Sequence, residues 1–190
     1  CFENEFSSFL STSETIGVAN GTDAIELALR ACNIGNSDLV ATVSHTAVAT
    51  VSAIRRVGAK PIFVDIEKDF FTMSSESLEA VLTEYDIKAI VVVHIYGQMA
   101  DMQGILEVAK MKDIPVIEDC AQAHGATQQS RMAGTWGDVG CFSFYPTKNL
   151  GALGDAGAVV TDNIEIANSL REIRQYGWKE RYISTREGIN

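Results

Sequence analysis

Short apolar runs alternate along this chain with longer segments in which apolar residues recur every three or four positions. Several short runs are nearly continuous in valine and isoleucine, which is typical of strands buried on both faces of a parallel sheet. We predict seven strands, at residues 15–19, 39–43, 61–64, 89–94, 115–119, 141–145 and 158–161. We predict five helices, at residues 23–31, 46–57, 75–84, 102–112 and 164–176. This alternation indicates an α/β fold, a three-layer sandwich around a mostly parallel seven-stranded sheet.

The composition narrows the class of protein. With 190 residues, 46% of them hydrophobic and 21% charged, the chain is globular and long enough for one substantial domain. A formal net charge of -10 argues against nucleic-acid binding, and no apolar run is long enough for a membrane span. The 4 cysteines form no C-x-x-C pair, so no metal site is indicated and we predict a cytoplasmic protein. Because the chain opens on Cys1 and stops without a closing element, we predict that residues 1–190 are one domain of a longer protein, cut at both ends.

Polar residues follow several of the predicted strands, at the sheet edge where α/β proteins bind their ligands. Asp119 ends one strand, where it either caps the next helix or presents a carboxylate to a cationic partner. Gln122 and His124 follow at once, which keeps the second interpretation open. His94, Tyr96 and Gln98 follow another strand, where they either close a loop or line a pocket.

Gly21 and Thr22 come after the first predicted strand and open a helix. Free N–H groups at a helix start bind anions, although an ordinary tight turn with a threonine cap has the same sequence. The segment is not G-x-G-x-x-G, so a dinucleotide site is not indicated. His45 lies between a strand and a helix, where it caps, packs, or lays its ring against a flat cofactor.

Lys148 follows the strand that contains Ser143 and precedes a glycine-rich loop. It is either a surface lysine or an amine held in a pocket to form an imine with a carbonyl group. Taken together, these residues supply what pyridoxal phosphate needs. Its aldehyde needs a lysine, its pyridine nitrogen needs an acid, and its phosphate needs N–H and hydroxyl donors.

The motifs of the chain resemble those of the DegT/DnrJ/StrS sugar aminotransferases, pyridoxal phosphate enzymes of the aspartate aminotransferase fold type. In the order of that family, the chain contains ANGTDAIELAL, SHTAVATVSAI, PIFVDIE, VHIYGQMADM, VIEDCAQAHGA, GDVGCFSFYPTKNLGALGDAGAVVT, LREIRQYGW and GIN. The segments around Asp119 and Lys148 are the most specific. The resemblance implies the large, cofactor-binding domain of such an enzyme, with its C-terminal small domain absent.

The resemblance also assigns the catalytic residues. It implies that Lys148 forms the imine with pyridoxal phosphate and moves the proton, and that Asp119 pairs with the pyridine nitrogen. It places Gln122 near the cofactor ring and its hydroxyl group. We therefore expect an enzyme whose catalytic groups are Lys148 and Asp119.

The resemblance implies a phosphate site and a partner subunit. Ser143 would bind the cofactor phosphate together with Gly21 and Thr22. Asn190, the last residue, would reach the phosphate of the cofactor in the partner subunit. We therefore expect a homodimer with shared active sites.

Position 47 departs from the family pattern. Many members carry an aromatic residue that stacks on the cofactor where this chain has Ala47, and His45 either stacks instead or contacts the phosphate. The SHTAVATVSAI variant is most similar to members that aminate 3-keto-6-deoxyhexoses on a thymidine diphosphate carrier. The resemblance thus implies transamination of a keto sugar nucleotide with L-glutamate, in the biosynthesis of amino-deoxysugars for surface polysaccharides or glycosylated metabolites.

Three other functions are alternatives to transamination. Sugar dehydratases of the same family replace the imine-forming lysine with histidine, so Lys148 favours transamination. A non-catalytic cofactor-binding fragment is disfavoured by the intact set of Asp119, Gln122, Ser143 and Lys148. A nicotinamide oxidoreductase is disfavoured by the missing G-x-G-x-x-G.

Overall fold

The structure is a computed structural model, which describes residues 1–189. Its helices are α1 (Phe2–Leu10), α2 (Gly21–Ala31), α3 (Val48–Arg56), α4 (Ser75–Glu84), α5 (Met102–Lys110) and α6 (Ile164–Ile173), with a 3₁₀ turn at Ile95–Gly97. Its strands are β1 (Glu14–Val18), β2 (Leu39–Val43), β3 (Lys60–Val64), β4 (Ile87–Val93), β5 (Val116–Asp119), β6 (Thr127–Gln128), β7 (Arg131–Met132), β8 (Val139–Ser143), β9 (Gly157–Thr161), β10 (Trp178–Glu180) and β11 (Ile183–Ser184). Within these residues, no helix has the length and apolar character needed to cross a membrane.

Seven strands form one twisted sheet in the order β1-β9-β8-β5-β4-β2-β3. Strand β9 runs antiparallel to both of its neighbours, whereas the other adjacent pairs are parallel. The other six strands therefore end at the same edge of the sheet. Strand β5 lies in the middle, with Asp119 beside Val93 of β4 and Cys141 of β8.

Helices cover both faces of the sheet, which confirms the predicted three-layer α/β sandwich. On one face α2, α3 and α6 pack on the sheet, with Ile25, Ile54 and Ile117 buried between the layers. On the other face lie α1, α4 and α5, with Leu78 and Ile105 buried. Each fully buried side chain of this size contributes roughly 1.5–3 kcal/mol, so both layers are held firmly against the strands.

The predicted elements are all present, with bounds that shift by a few residues. The strand predicted at 141–145 lies at Val139–Ser143, because the chain leaves the sheet before the half-exposed Tyr145. The helix predicted at 164–176 ends at Ile173, and the β10–β11 hairpin follows it. Helix α1 was not predicted, although Phe6 and Leu10 pack into the core from one of its faces.

Candidate active site

The carboxyl ends of β2, β4, β5 and β8 meet around a cleft. Among the residues that line it are Thr46, Ala47, His94, Asp119, Gln122 and Lys148. Each of these residues follows or ends one of the parallel strands, as expected for ligand sites of α/β sheets. The sheet topology therefore brings the two predicted catalytic residues, Asp119 and Lys148, to one cleft.

Asp119 presents a buried carboxylate to the cleft, with 5% of the residue exposed. Its Oδ2 accepts a hydrogen bond from Thr50 Oγ1 at 2.7 Å, and its Oδ1 accepts one from the Ala121 N–H at 3.2 Å. Burial raises the pKa of Asp119 above its usual value, although both hydrogen bonds and the positive charge of Lys148 act in the opposite direction. An ionised carboxylate can accept about four hydrogen bonds, so Asp119 has capacity for a cationic N–H donor.

We expect Asp119→Asn to stabilise the cofactor-free protein at neutral and alkaline pH. The pKa of Asp119 is raised by folding, so the folded protein holds this proton more tightly than the unfolded chain does. The free energy of unfolding of the wild type therefore falls as pH rises from the unfolded pKa through the folded one. Asparagine has no charge to bury, so we expect its free energy of unfolding to exceed that of the wild type at about pH 8 by on the order of 1 kcal/mol, and the difference to vanish at about pH 3.

Urea unfolding without pyridoxal phosphate, at acidic and alkaline pH, measures this gain. Asp69→Asn is the matched control, since Asp69 is an exposed carboxylate in the turn after β3 and its replacement buries nothing new. A stability difference for Asp119→Asn that is the same at both pH values would contradict the prediction.

Lys148 lies half-buried in a turn just beyond β8. Its backbone N–H donates to the Tyr145 carbonyl at 2.8 Å, and the Ala152 N–H donates to the Phe144 carbonyl at 2.8 Å. The turn is tight, because a Cβ on Gly151 would lie 2.5 Å from the Pro146 carbonyl oxygen. Among the described residues, Lys148 forms no ion pair, so its amine is available to a ligand in the cleft.

The start of α2 forms an anion cradle with the end of β8. Asn20 caps the helix: its Oδ1 accepts from the Asp23 N–H at 2.9 Å and its carbonyl accepts from the Ala24 N–H at 3.0 Å. The amides of Gly21 and Thr22 are left for an anion. Ser143 lies directly beside them, since a Cβ on Gly21 would be 2.6 Å from Ser143 Cβ. The three predicted phosphate-binding residues therefore lie together.

The residues considered for stacking take different places. Ala47 lines the cleft, and its methyl group offers no ring. His45 packs edge-on against Tyr96, with their ring centroids 5.7 Å apart, and its Nε2 lies 3.3 Å from the Tyr96 hydroxyl. Gln122 Oε1 accepts from the Tyr96 N–H at 2.7 Å, which fixes Tyr96 at a positive φ of 58°. Non-glycine residues at positive φ are uncommon and cluster at functional sites.

His94 borders the cleft, but both of its ring nitrogens form hydrogen bonds with groups inside the protein. Its Nδ1 accepts from the Ala100 N–H, so its Nε2 is the donor to Glu118, at 2.9 Å. The fully buried Glu118 carboxylate also accepts from the backbone N–H groups of Gly134, Trp136 and Gly137. These bonds satisfy the carboxylate, whose oxygen lies within 4.8 Å of a His94 ring nitrogen and of the Cys120 sulfur.

Two site residues were not found by sequence reasoning. Thr46 lines the cleft and Thr50 donates a hydrogen bond to Asp119, whereas the sequence pattern predicts only that both lie in a helix. Their spacing of four residues at a helix start places both hydroxyls on one face, which is the signal that was missed. Asn190, predicted to reach the cofactor of a partner subunit, lies outside the described residues.

An α/β domain with an amine, a buried carboxylate and an anion cradle at one sheet edge has the residue set of a pyridoxal phosphate-binding domain. The chain belongs to the DegT/DnrJ/EryC1/StrS aminotransferase family. The sequence model of that family matches residues 1–190. It is 48% identical over 185 residues to a dTDP-3-amino-3,4,6-trideoxy-alpha-D-glucose transaminase of Micromonospora megalomicea subsp. nigra, covering 97% of this chain and 49% of the relative. The chain thus spans about half the length of the curated relatives it matches.

Solved structures give the same fold. The Streptomyces venezuelae protein DesV, in complex with a ketimine intermediate, superposes with a TM-score of 0.96 at 42% identity, covering 100% of this chain and 51% of DesV. The Bacillus subtilis protein NtdA, solved with bound cofactor PMP, superposes with a TM-score of 0.88 at 35% identity, covering 100% of this chain and 42% of NtdA. The family relationship predicted from the motifs is confirmed.

Proposed function

We propose that the protein is a pyridoxal phosphate-dependent aminotransferase that transfers an amino group from L-glutamate to a keto sugar nucleotide. The observation that carries this proposal is the placement of Lys148 and Asp119 in one cleft, with the Gly21–Ser143 cradle at the same sheet edge. Family membership supports the reaction class, and the name of the Micromonospora relative supports a dTDP-linked 3-keto-6-deoxyhexose as the acceptor. The product would be an amino-deoxysugar precursor for surface polysaccharides or glycosylated metabolites.

The donor set of the chain fits the cofactor. Lys148 Nζ would hold the aldehyde carbon, and Asp119 would pair with the ring nitrogen. The amides of Gly21 and Thr22, with the Ser143 hydroxyl, would hold the phosphate, where a Cβ on Gly21 would fill the cradle. Gln122 lies between the cleft and Tyr96, which is consistent with a place beside the ring. The small Ala47 leaves the stacking position open to another group, and the His45 ring is the aromatic group nearest to it in sequence.

When bound, pyridoxal phosphate supplies an electron sink for charge that develops on the carbon next to the amino nitrogen. The protein must then move the proton of that carbon and keep a second proton on the ring nitrogen. Lys148 Nζ, once free, would be the base that removes the proton from that carbon and delivers it to C4′ of the cofactor, the carbon of the former aldehyde. Asp119 holds a proton on the ring nitrogen through an ion pair, which its buried position protects from water. Amino donor and keto acceptor would use the same groups in succession, so we propose ping-pong kinetics.

The assembly and the location of the enzyme are also proposals. The resemblance that assigns Asn190 to the cofactor of a partner subunit supports a homodimer with shared active sites. A cytoplasmic location is proposed from the sequence, in which the 4 cysteines are scattered and form no C-x-x-C pair. The presence of Lys148, where dehydratases of the family have histidine, supports transamination over dehydration.

Borohydride reduction with pyridoxal phosphate, followed by peptide mass mapping, tests the proposal in the protein expressed from its complete gene. We expect one phosphopyridoxyl adduct, on Lys148, because its amine lines the cleft and forms no ion pair with the described residues. Lys110, exposed at the end of α5, is the internal control and should stay unmodified. An adduct on Lys110 and other surface lysines, with Lys148 unmodified, would refute the function.

A further inference from the structure

A short chain of hydroxyl groups leads from the cleft to the buried carboxylate. The Oγ1 atoms of Thr46 and Thr50 lie 2.7 Å apart, and Thr50 Oγ1 lies 2.7 Å from Asp119 Oδ2. Both threonines lie at the start of α3, Thr46 just before it and Thr50 within its first turn. Thr50 is 0% exposed, so water does not compete for these hydrogen bonds.

The direction of the hydrogen bonds follows from counting protons. An ionised carboxylate only accepts, so Thr50 must donate its single hydroxyl proton to Asp119. The Thr50 oxygen then accepts from Thr46, which completes a chain that points toward Asp119. If Asp119 were protonated at Oδ2 and donated to Thr50, that bond would reverse, although the Thr50 oxygen could still accept from Thr46. The Thr50 hydroxyl therefore donates to the carboxylate only when Asp119 is the anion.

The groups around Asp119 determine how strongly the Thr50 hydrogen bond affects the ionisation of this carboxylate. Burial raises the pKa of Asp119, and the hydrogen bond from Thr50 is the first of the influences that lower it. The titratable groups close enough to affect it are His94 after β4, Lys148 after β8, and the Cys120 and Cys141 thiols. Only Thr50 and the Ala121 N–H donate to the carboxylate within the described residues.

We propose that Thr50, supported by Thr46, is a positioning residue that orients the Asp119 carboxylate toward the cofactor's ring nitrogen and favours its anionic form. This inference rests on the proposed function, since it concerns the group that would pair with Asp119. Thr50 touches neither substrate nor cofactor and acts through the carboxylate alone. Its effect must therefore depend on the presence of a basic ring nitrogen in the ligand.

Thr50→Val and Thr50→Ser test the proposal in the protein expressed from its complete gene. Valine keeps the shape and removes the hydroxyl, whereas serine keeps the hydroxyl. Two dissociation constants are measured for each protein, one for pyridoxal phosphate and one for an analogue with carbon in place of the ring nitrogen. Loss of a hydrogen bond to a charged group should weaken pyridoxal phosphate binding by about tenfold in Thr50→Val. Analogue binding should not change, and Thr50→Ser should behave as the wild type.

Thr42→Val is the matched control, because the Thr42 hydroxyl is also fully buried but donates to the Val91 carbonyl, at 2.9 Å. It should leave the ratio of the two dissociation constants unchanged. The ionisation of Asp119 without cofactor, followed by carbon-13 NMR of labelled aspartate, is a second readout. We expect Thr50→Val to shift this titration to higher pH and Thr42→Val to leave it in place.

The outcomes separate the two proposals. If Thr50→Val weakens both ligands equally, or leaves the Asp119 titration in place, Thr50 is a packing residue and the inference is wrong. If the wild type fails to prefer pyridoxal phosphate over the analogue, the pairing of Asp119 with the ring nitrogen is wrong. A shifted titration in Thr50→Val would still establish the role of Thr50 toward Asp119 in that case.

Discussion

Replacing Lys148 with alanine is expected to lower the turnover number for transamination by about 10³-fold or more, since one positioned general acid–base group typically contributes about 10²–10⁴-fold. Lys148 Nζ is the amine that lines the cleft with Asp119, and it has no ion-pair partner among the described residues. No other described lysine lines this cleft, so no neighbour can take over the proton transfer. Steady-state and single-turnover kinetics with L-glutamate measure the loss.

Lys148→Arg separates the effect of the positive charge from the effect of proton transfer. Arginine keeps the positive charge beside Asp119, but its guanidinium does not lose a proton in proteins and cannot act as the base. We expect it to be as inactive as alanine while retaining more of the cofactor affinity. Lys110→Ala is the control for loss of a lysine elsewhere and should be fully active. Turnover by Lys148→Ala near the wild-type rate would show that the reaction uses another base.

Gly21→Ala is expected to weaken pyridoxal phosphate binding by about 10–100-fold, the factor that corresponds to typical overpacking penalties. The added methyl would lie 2.6 Å from Ser143 Cβ and 3.3 Å from Ser143 Cα, so α2 or β8 must move. Alanine is the better helix former by about 1 kcal/mol, which acts in the opposite direction but is too small to offset the clash. Fluorescence titration of the cofactor-free protein measures the dissociation constant.

Gly35→Ala is the matched control for this change. No atom lies within 4 Å of the Cβ position at Gly35, and its φ is not in the left-handed region. We expect this variant to bind pyridoxal phosphate as the wild type does. Equal dissociation constants for Gly21→Ala and the wild type would mean that the α2–β8 cradle does not hold the phosphate.

The sequence allowed the sheet and the place of the site to be predicted for physical reasons. Strands buried on both faces are nearly all apolar, so the polar residues that follow them stand out, as Asp119 and Lys148 do. Because parallel strands end at one edge, residues from distant segments could be expected to meet there. The structure places Asp119, Gln122 and Lys148 in one cleft, while their catalytic roles stay predictions.

Other features of the site and of the fold depend on contacts between distant residues or on very short elements, which no local sequence pattern indicates. Thr50 is a candidate site residue only because its hydroxyl donates a hydrogen bond to a carboxylate 69 positions away in the sequence. Nothing in the helical pattern around Thr50 indicates this contact. The hairpin formed by β6 and β7 has two residues in each strand, too few for an alternating pattern. Helix α1 is different, because Phe2, Phe6 and Leu10 recur at helical spacing and its pattern could have been recognised from the sequence.

Glu118 and Asp119 are neighbours in β5, yet the strand turns them to opposite faces of the sheet. Glu118 is saturated by donors on one side, whereas Asp119 on the other side keeps capacity for a ligand. Sliding β5 by one residue would turn each acid to the other face of the sheet, so that Asp119 would no longer face Thr50. The alignment of β5 between β4 and β8 thus decides which of two chemically similar acids faces the cleft, and the three backbone amides that bind Glu118 stabilise the observed alignment.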